Sequence, residues 1–591
     1  MGSLTRRAIG IIATLLLLTL LSWPALAAGR PPSRLDATLA SRAGGPGISR
    51  VIVRSTGVGD VTAKIRAHRG HAGQRLALVD GYVAEVPNDA LEALAADPGV
   101  AGVHLDRPVG ALLAPGGGND TGNAQGASSS EGDFTGAGVG VAVIDSGLTA
   151  WHDDLARVDA RRALVGQRVV GFADFTSTTN QVADSYGHGT HVAGIVAGSG
   201  HDSEGEYAGV AQGAHLLVLK VLDGEGRGYV SDVIRAIGFA VASRAQFNLR
   251  VINLSIGAPV LESYESDPLT LAARRAVEAG MVVVAAAGNF GKNLDDQIQY
   301  GGITAPGNAP WVLTVGAYSH MGTPDPSDDR VAGYSSRGPT AFDFVAKPDL
   351  VAPGTRIVSL NDAGSALALR NPADLVPGTS GGGYPYLTLS GTSMAAPVVS
   401  GVVARMLQAN PALTPNAVKA ILQYTARVTP DVDFLSQGAG FLNTDAAVSL
   451  ARFYASSGTG DSYTLGGDWA RHILWGNRRV SGGVLQPWGS AWGTNIIWGS
   501  GGDNIIWGSA GDNIIWGSSG ENIIWGSSGD DNIIWGSGGD NIIWGSGEDN
   551  IIWGSGGDNI IWGSSIVWGN RLAREFGGLA LALGAGRAAG R

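Results

Sequence analysis

Three short stretches carry residues suited to nucleophilic chemistry. Val141-Ala142-Val143-Ile144-Asp145-Ser146-Gly147 ends an apolar run in a carboxylate. Tyr186-Gly187-His188-Gly189-Thr190-His191-Val192-Ala193-Gly194 opens a helix of small residues with an imidazole, and Ser390-Gly391-Thr392-Ser393-Met394-Ala395-Ala396-Pro397 opens another with a hydroxyl. A serine hydroxyl is a weak nucleophile until a neighbouring base accepts its proton. Histidine does this near neutral pH when a buried carboxylate fixes its tautomer and stabilises the imidazolium that forms. Each residue alone has an ordinary alternative: a turn aspartate, a structural histidine (the reading given to His191) or a serine N-cap.

The elements around these stretches must bring them together. From Phe134 to about Arg452, apolar runs alternate with helical stretches. The clearest runs are Val139–Ile144, Leu216–Leu222, Val251–Leu254, Met281–Ala287 and Val312–Val315. Their lack of polar alternation implies strands buried on both faces, as in a parallel sheet covered by helices. Helices are expected over Val230–Ala245 and Leu269–Ala279, and another from the Thr414 cap with Pro415 in its first turn. The expected fold is α/β, with reactive groups at the carboxyl ends of the strands.

Taken together, the Asp145, His188 and Ser393 segments resemble the three signature blocks of the subtilase family, in that order. The resemblance covers Phe134–Arg452. It implies a subtilisin-like serine endopeptidase with Asp145, His188 and Ser393 as its triad. Ala286-Ala287-Gly288-Asn289 resembles the family's oxyanion block, implying that the Asn289 amide and the Ser393 N–H stabilise the developing oxyanion. Ser255, Ile256 and Gly257 are similar to the strand that pairs with substrate backbone, and Thr304-Ala305-Pro306-Gly307 to the floor of the first specificity pocket. Thr304 makes that floor neither deep nor charged, which suits a medium to large apolar side chain before the cut. Blocks around Tyr334–Pro339 and Lys347–Gly354 resemble structural ones. His152-Asp153-Asp154-Leu155 resembles a block whose aspartate helps hold a stabilising calcium, which maps to Asp154. The companion loop Ser199–Tyr207 departs from the family's pattern, and a solvated surface carboxylate is an equal reading of Asp154. The chemistry itself requires no cofactor; structural calcium is the one cofactor the resemblance allows.

The 591-residue chain has further segments, and it contains no cysteine, which excludes disulfides, thiolate catalysis and cysteine zinc sites. Its formal net charge of −11 argues against a nucleic-acid partner. Arg6 and Arg7, the apolar run Ala8–Leu21 and Ala25-Leu26-Ala27 read as a cleavable export signal; the run is too short for a membrane anchor. Arg50–Pro108 reads as a small α+β unit, with strands at Val51–Val53, Tyr82–Val86 and Val100–Leu105 and a helix over Asp89–Ala95 capped by Asn88. Its size and position resemble the family's propeptide, which implies an autoprocessed zymogen; the alternative is a ligand-binding domain that stays attached. Gly116–Ser130 is polar and suits an exposed linker.

From Asn495 the unit Asn-Ile-Ile-Trp-Gly-Ser recurs with a period of nine, starting at 495, 504, 513, 522, 532, 541, 550 and 559, with one extra residue at Asp530-Asp531. Stacked units would bury Ile and Trp in a β-solenoid. The spacing resembles the glycine-rich nonapeptide repeats of calcium-binding β-rolls, with Asp and Asn exchanged in the turn. Asp503, Asp512, Glu521, Asp540, Asp549 and Asp558 would then form acidic ladders that bind cations or remain solvated.

The resulting division is a signal peptide (1–27), a propeptide region (28–112, inhibitor-like core 50–108), a linker (113–133) and a peptidase domain (134–452). A second linker (453–471), a Trp/Gly-rich repeat region (472–570) and a tail (571–591) follow. The expected protein is secreted and extracellular. Its partners are protein or peptide substrates and its own propeptide in cis, with no transmembrane anchor and no partner assigned to the repeats. The competing class is a binding protein in which an inactive protease fold displays the repeats as an adhesin, and a third is a hydrolase of non-peptide esters.

Overall fold

The computed structural model describes residues 34–114 and 134–475, apart from short gaps at 150–151, 160–162, 178–180, 324, 380–382 and 457–460. Beyond these it describes Leu485 and the backbone of strands between 478 and 575. The export signal, the Gly116–Ser130 linker, the acidic turn positions of the repeats and the tail after residue 575 lie outside the described residues. Among the described residues no helix is long and apolar enough to cross a membrane.

The first unit is a four-stranded antiparallel sheet in the order His71–Leu76, Gly81–Pro87, Ile48–Ser55, Val100–Leu105. Val51, Val53, Ile65, Leu91, Leu94 and Val103 fill its core. The polar strand His71–Leu76 carried no apolar alternation and was not foreseen; it sits at the sheet edge, where little burial is demanded. The expected helix is split into a turn at Asn88–Ala90 and a helix at Leu91–Ala96, and Asn88 caps neither. Its side chain instead accepts from Ser49 Oγ (2.8 Å) and donates to the Pro46 carbonyl (2.8 Å).

The central domain is built on an eight-stranded sheet. Leu313–Ser319, Val282–Ala286, Leu249–Leu254, Gly140–Asp145, His215–Lys220 and Val169–Asp174 run side by side in parallel, and Leu350–Pro353 also joins Leu313–Ser319 in parallel. Only the two-residue edge strand Arg330–Val331 is antiparallel. The expectation of strands buried on both faces holds along Gly140–Asp145. Val141 and Val143 pack with the helices His188–Ala197 and Thr392–Ala409, whereas Ala142 and Ile144 pack with Val230–Ser243 and Pro268–Glu278. Thr414 caps the helix Pro415–Thr425, its Oγ1 accepting from Ala417 N at 3.1 Å. The first strand, Gly140–Asp145, lies between the later strands His215–Lys220 and Leu249–Leu254. The chain therefore builds outward in opposite directions from it, and a crevice opens at its carboxyl end.

The Lys347-Pro348-Asp349 block is structural, as expected. Lys347 and Lys419 both reach the buried Asp349 carboxylate, and burial pushes the Lys347 ammonium down to about 7. Gln423 donates to the same carboxylate and accepts from Leu474 N at 2.6 Å. That last contact belongs to a segment expected to be the second linker and the start of the Trp/Gly-rich repeat region. Ala470 N and Arg471 N bond to the carbonyls of Ala426 and Tyr424, and Trp469 stacks on Tyr463. Residues 461–475 thus pack against the domain more closely than a linker needs.

In the repeats, Asn504–Trp507, Asn522–Trp525, Asn541–Trp544 and Asn559–Trp562 form one parallel sheet. Asn513–Gly517, Asn532–Gly536, Asn550–Gly554 and Ser565–Gly569 form a second. Asn pairs with Asn, Ile with Ile and Trp with Trp along each ladder of identical units. Successive units alternate between the sheets, so one coil of the solenoid takes two units and like positions stack two units apart.

Candidate active site

Asp145 is the last residue of its strand, His188 the first of its helix and Ser393 the second of its own. All three are fully buried. His188 Nδ1 lies 2.7 Å from Asp145 Oδ1, which also accepts from Ser146 N. With its Nδ1 proton held by the carboxylate, His188 presents a lone pair at Nε2, and that atom is buried and makes no hydrogen bond. Two glycines permit the approach: Gly147 has φ +125°, and a Cβ on Gly189 would meet the Gly147 carbonyl at 2.4 Å.

The Ser393 hydroxyl is engaged elsewhere. It donates to the Ser255 carbonyl (2.7 Å) and accepts from Leu112 N (3.1 Å). Pro397, four residues on, has no N–H to give the Ser393 carbonyl. Ser255 Oγ donates to that carbonyl instead, at 2.8 Å. One side chain thereby ties the substrate-strand segment to the nucleophile's helix.

Leu112 belongs to the chain leaving the N-terminal unit. Pro108–Ala111 pairs antiparallel with both Arg227–Tyr229 and Ile256–Gly257, completing a three-stranded sheet. Beyond it the Leu112 carbonyl accepts from Asn289 Nδ2 at 2.6 Å. Asn289 is held in that orientation by its own oxygen, which accepts from Thr392 N and Thr392 Oγ1, both at 3.0 Å. A Cβ on Gly257 would meet Thr304 Oγ1 at 2.7 Å and the Leu112 Cδ1 at 2.9 Å. Gly257, Thr304 and the Leu112 side chain therefore share one pocket. Leu113 and Ala114 continue into a cleft of about 960 Å³ bordered by Phe290, Leu294 and Arg356.

Upstream, the connection is a buried polar seam. Arg107 pairs with Asp267, and Asp106 accepts from Ser231 N (2.9 Å) and Ser231 Oγ (2.8 Å) at the start of the helix Val230–Ser243. His191, one turn beyond His188, bonds the carbonyls of Ile357 and Leu387 through Nε2, and burial pushes it down to about 3. It is neutral and structural. Asp184, Thr392 and Leu112 were not singled out from sequence: Thr392 and Leu112 meet Asn289 from 103 and 177 residues away, while Asp184, four residues before His188, bonds its near neighbours Gly187 and Thr190 and also Ser146, 38 residues away.

Ligand atoms of His152, Asp154 and Asp202 lie within 4.8 Å of one another. However, Asp154 Oδ1 accepts from Asp202 N (2.8 Å), Asp154 Oδ2 from the Tyr386 hydroxyl (2.7 Å), and His152 Nδ1 from Asp154 N (3.2 Å). Calcium requires six to eight oxygen ligands. Hydrogen-bond donors meet both oxygens of Asp154, and Asp202 adds one further carboxylate, so these residues fall short of such a set; Asp154 is a hydrogen-bonded hub.

A parallel α/β sheet carrying a carboxylate–imidazole pair at its switch point, opposite a serine at a helix start, defines a class of serine hydrolase. Residues 136–443 match the subtilase family, and residues 498–533 and 535–565 match the RTX calcium-binding nonapeptide repeat. The serine protease AprX of Bacillus subtilis is 37% identical over 375 residues, covering 62% of this chain and 78% of that protein. An extracellular protease of Xanthomonas campestris is 33% identical over 396 residues, covering 61% of each. The crystal structure of fervidolysin from Fervidobacterium pennivorans, a keratinolytic enzyme related to subtilisin, superposes with a TM-score of 0.51 at 25% identity, covering 68% of this chain and 61% of that one. The chain belongs to the subtilase family and is a serine endopeptidase. Its catalysis needs no cofactor, and structural calcium finds its support in the repeats.

Proposed function

We propose that the chain is a secreted endopeptidase made as a zymogen, with Asp145, His188 and Ser393 as its triad, and that its first substrate is its own Leu112–Leu113 bond. The observation that carries this reading is the Leu112 carbonyl on the Asn289 amide with Ser393 Oγ beside Leu112 N. Secretion is supported by the Arg6–Ala27 pattern and by the extracellular relative. The strand Pro108–Ala111 occupies the groove as an extended substrate would, through main-chain bonds that tolerate many sequences.

In acylation the Ser393 hydroxyl leaves the Ser255 carbonyl and gives its proton to His188 Nε2 as Oγ attacks the Leu112 carbonyl carbon. Charge developing on the carbonyl oxygen is met by the Asn289 amide and the Ser393 N–H. His188 then passes the proton to the Leu113 nitrogen as the C–N bond breaks, and water hydrolyses the ester by the same steps. Leucine in the Gly257–Thr304 pocket agrees with a preference for a medium to large apolar side chain before the cut.

Expression of the full chain and of Ser393→Ala tests both parts. The wild type is expected to release a fragment whose C-terminus is Leu112 by mass spectrometry and to digest casein until a serine-directed phosphonate is added. Ser393→Ala is expected to stay uncut and inactive. A cleaving Ser393→Ala variant overturns the triad; first release at a bond other than Leu112–Leu113 overturns the assigned substrate.

A further inference from the structure

The carboxylate of Asp184 lies outside the substrate groove and touches none of the reacting groups, yet four hydrogen bonds converge on it. One oxygen accepts from Ser146 Oγ and Gly187 N, the other from Thr190 N and Thr190 Oγ1, all at 2.8 Å. Ser146 Oγ in turn accepts from Gly189 N at 2.8 Å. Asp184, Ser146 and Thr190 are all essentially inaccessible to solvent.

These partners are not scattered. Ser146 follows Asp145 directly, and Gly187, Gly189 and Thr190 flank His188 on both sides. Helix His188–Ala197 begins with N–H groups that have no partner within the helix. Its cap is Gly187, at φ +97°, which has no side chain to offer them. Asp184 takes the N–H groups of Gly187 and Thr190, and Ser146 takes that of Gly189. The helix start is therefore capped jointly by Asp184, from the segment leading into it, and by Ser146, from the loop that carries Asp145, and the Ser146 Oγ bond to Asp184 joins the two. Two further bonds tighten the seam: Thr149 N donates to Thr190 Oγ1 (3.0 Å), and Lys220 Nζ to the Ser146 carbonyl.

From this geometry we infer that Asp184 is a positioning residue for the peptidase reaction, holding the Asp145 loop and the His188 helix in one fixed relation. The inference rests on the triad reading above. The pair it holds is one hydrogen bond between two residues 43 positions apart, and proton transfer is sensitive to its alignment. A displacement of about 1 Å in such a constellation costs on the order of 10²-fold in rate. Substrate meets neither Asp184 nor Ser146, so binding is expected to survive their loss.

Asp184→Asn keeps the size of the side chain but turns an NH₂ group toward donors. In mature enzyme, processed in trans by added wild type where needed, kcat is expected to fall on the order of 10²-fold, with KM changed less than about twofold. The far-downfield proton resonance of the His188–Asp145 hydrogen bond is expected to weaken or move, at a temperature well below unfolding. Ser146→Ala removes one link and serves if Asp184→Asn does not fold; the same changes are expected with smaller amplitude. A lowered melting temperature with kcat and the proton resonance unchanged overturns the inference, as does a loss carried by KM. Ser393→Ala measured alongside separates this failure from failure of the triad, since only the latter leaves that variant active.

Discussion

At the scale of single residues, hydrogen-bond donors meet both oxygens of the buried Asp154. The Tyr386 hydroxyl is the donor to Asp154 Oδ2, and both residues are fully buried. Removing that donor leaves a buried carboxylate oxygen unsatisfied, at a cost of about 1.5–3 kcal/mol. Tyr386→Phe in the Ser393→Ala background is therefore expected to unfold at lower denaturant concentration, with equal loss in calcium and in chelator. A loss seen only when calcium is present would restore a cation to Asp154. The same logic explains Ser255, whose hydroxyl serves a carbonyl freed by Pro397. Two residues 142 positions apart are thus complementary by chemistry.

At the scale of elements, the His188 helix is buried along its whole length and carries a second imidazole, His191, that cannot charge in place. The folded-state value of about 3 lies below the unfolded value of 6.5. Between these values the unfolded chain binds the extra proton, so stability is lost as pH falls through that window. The loss has a limiting slope of about 1.4 kcal/mol per pH unit for one group. Denaturant melts of Ser393→Ala and of its His191→Gln derivative at pH 7, 5 and 4 measure this. The derivative is expected to be less stable at pH 7 but to decline less steeply. Equal slopes would mean that acid sensitivity arises elsewhere.

At the scale of the whole molecule, the protease core extends past the subtilase match, which ends at residue 443. Tyr454 donates to the Leu485 carbonyl, and Leu485 N donates to Tyr463, while Tyr424, Tyr463 and Trp469 form an aromatic cluster. Ile473, Leu474 and Leu485 are buried. Ser393→Ala chains ending after residue 456 and after residue 485 separate this edge from the repeats. The longer is expected to keep the full-length melting temperature of the domain, and the shorter to lose more than about 5 °C. Equal temperatures would make the segment dispensable.

How much of this was legible in the sequence depends on whether the signal was local. Unbroken apolar runs announced the parallel sheet, because a strand covered on both faces has no polar side to show. The motifs around Asp145, His188, Asn289 and Ser393 were readable because each fits within a few residues and sits at an element end. The nonapeptide period announced the solenoid, but not that its units alternate between two sheets, since a strict repeat gives every unit the same local preference. Leu112 had nothing local to mark it; it matters because its carbonyl meets Asn289, 177 residues away. Asp184 looked like any loop carboxylate until folding set four donors around it. Residue type and spacing thus determined which chemistry the chain could perform. Only tertiary packing, which brings together donors and acceptors far apart in the chain, decided which bond lies in the site and which side chains hold it there.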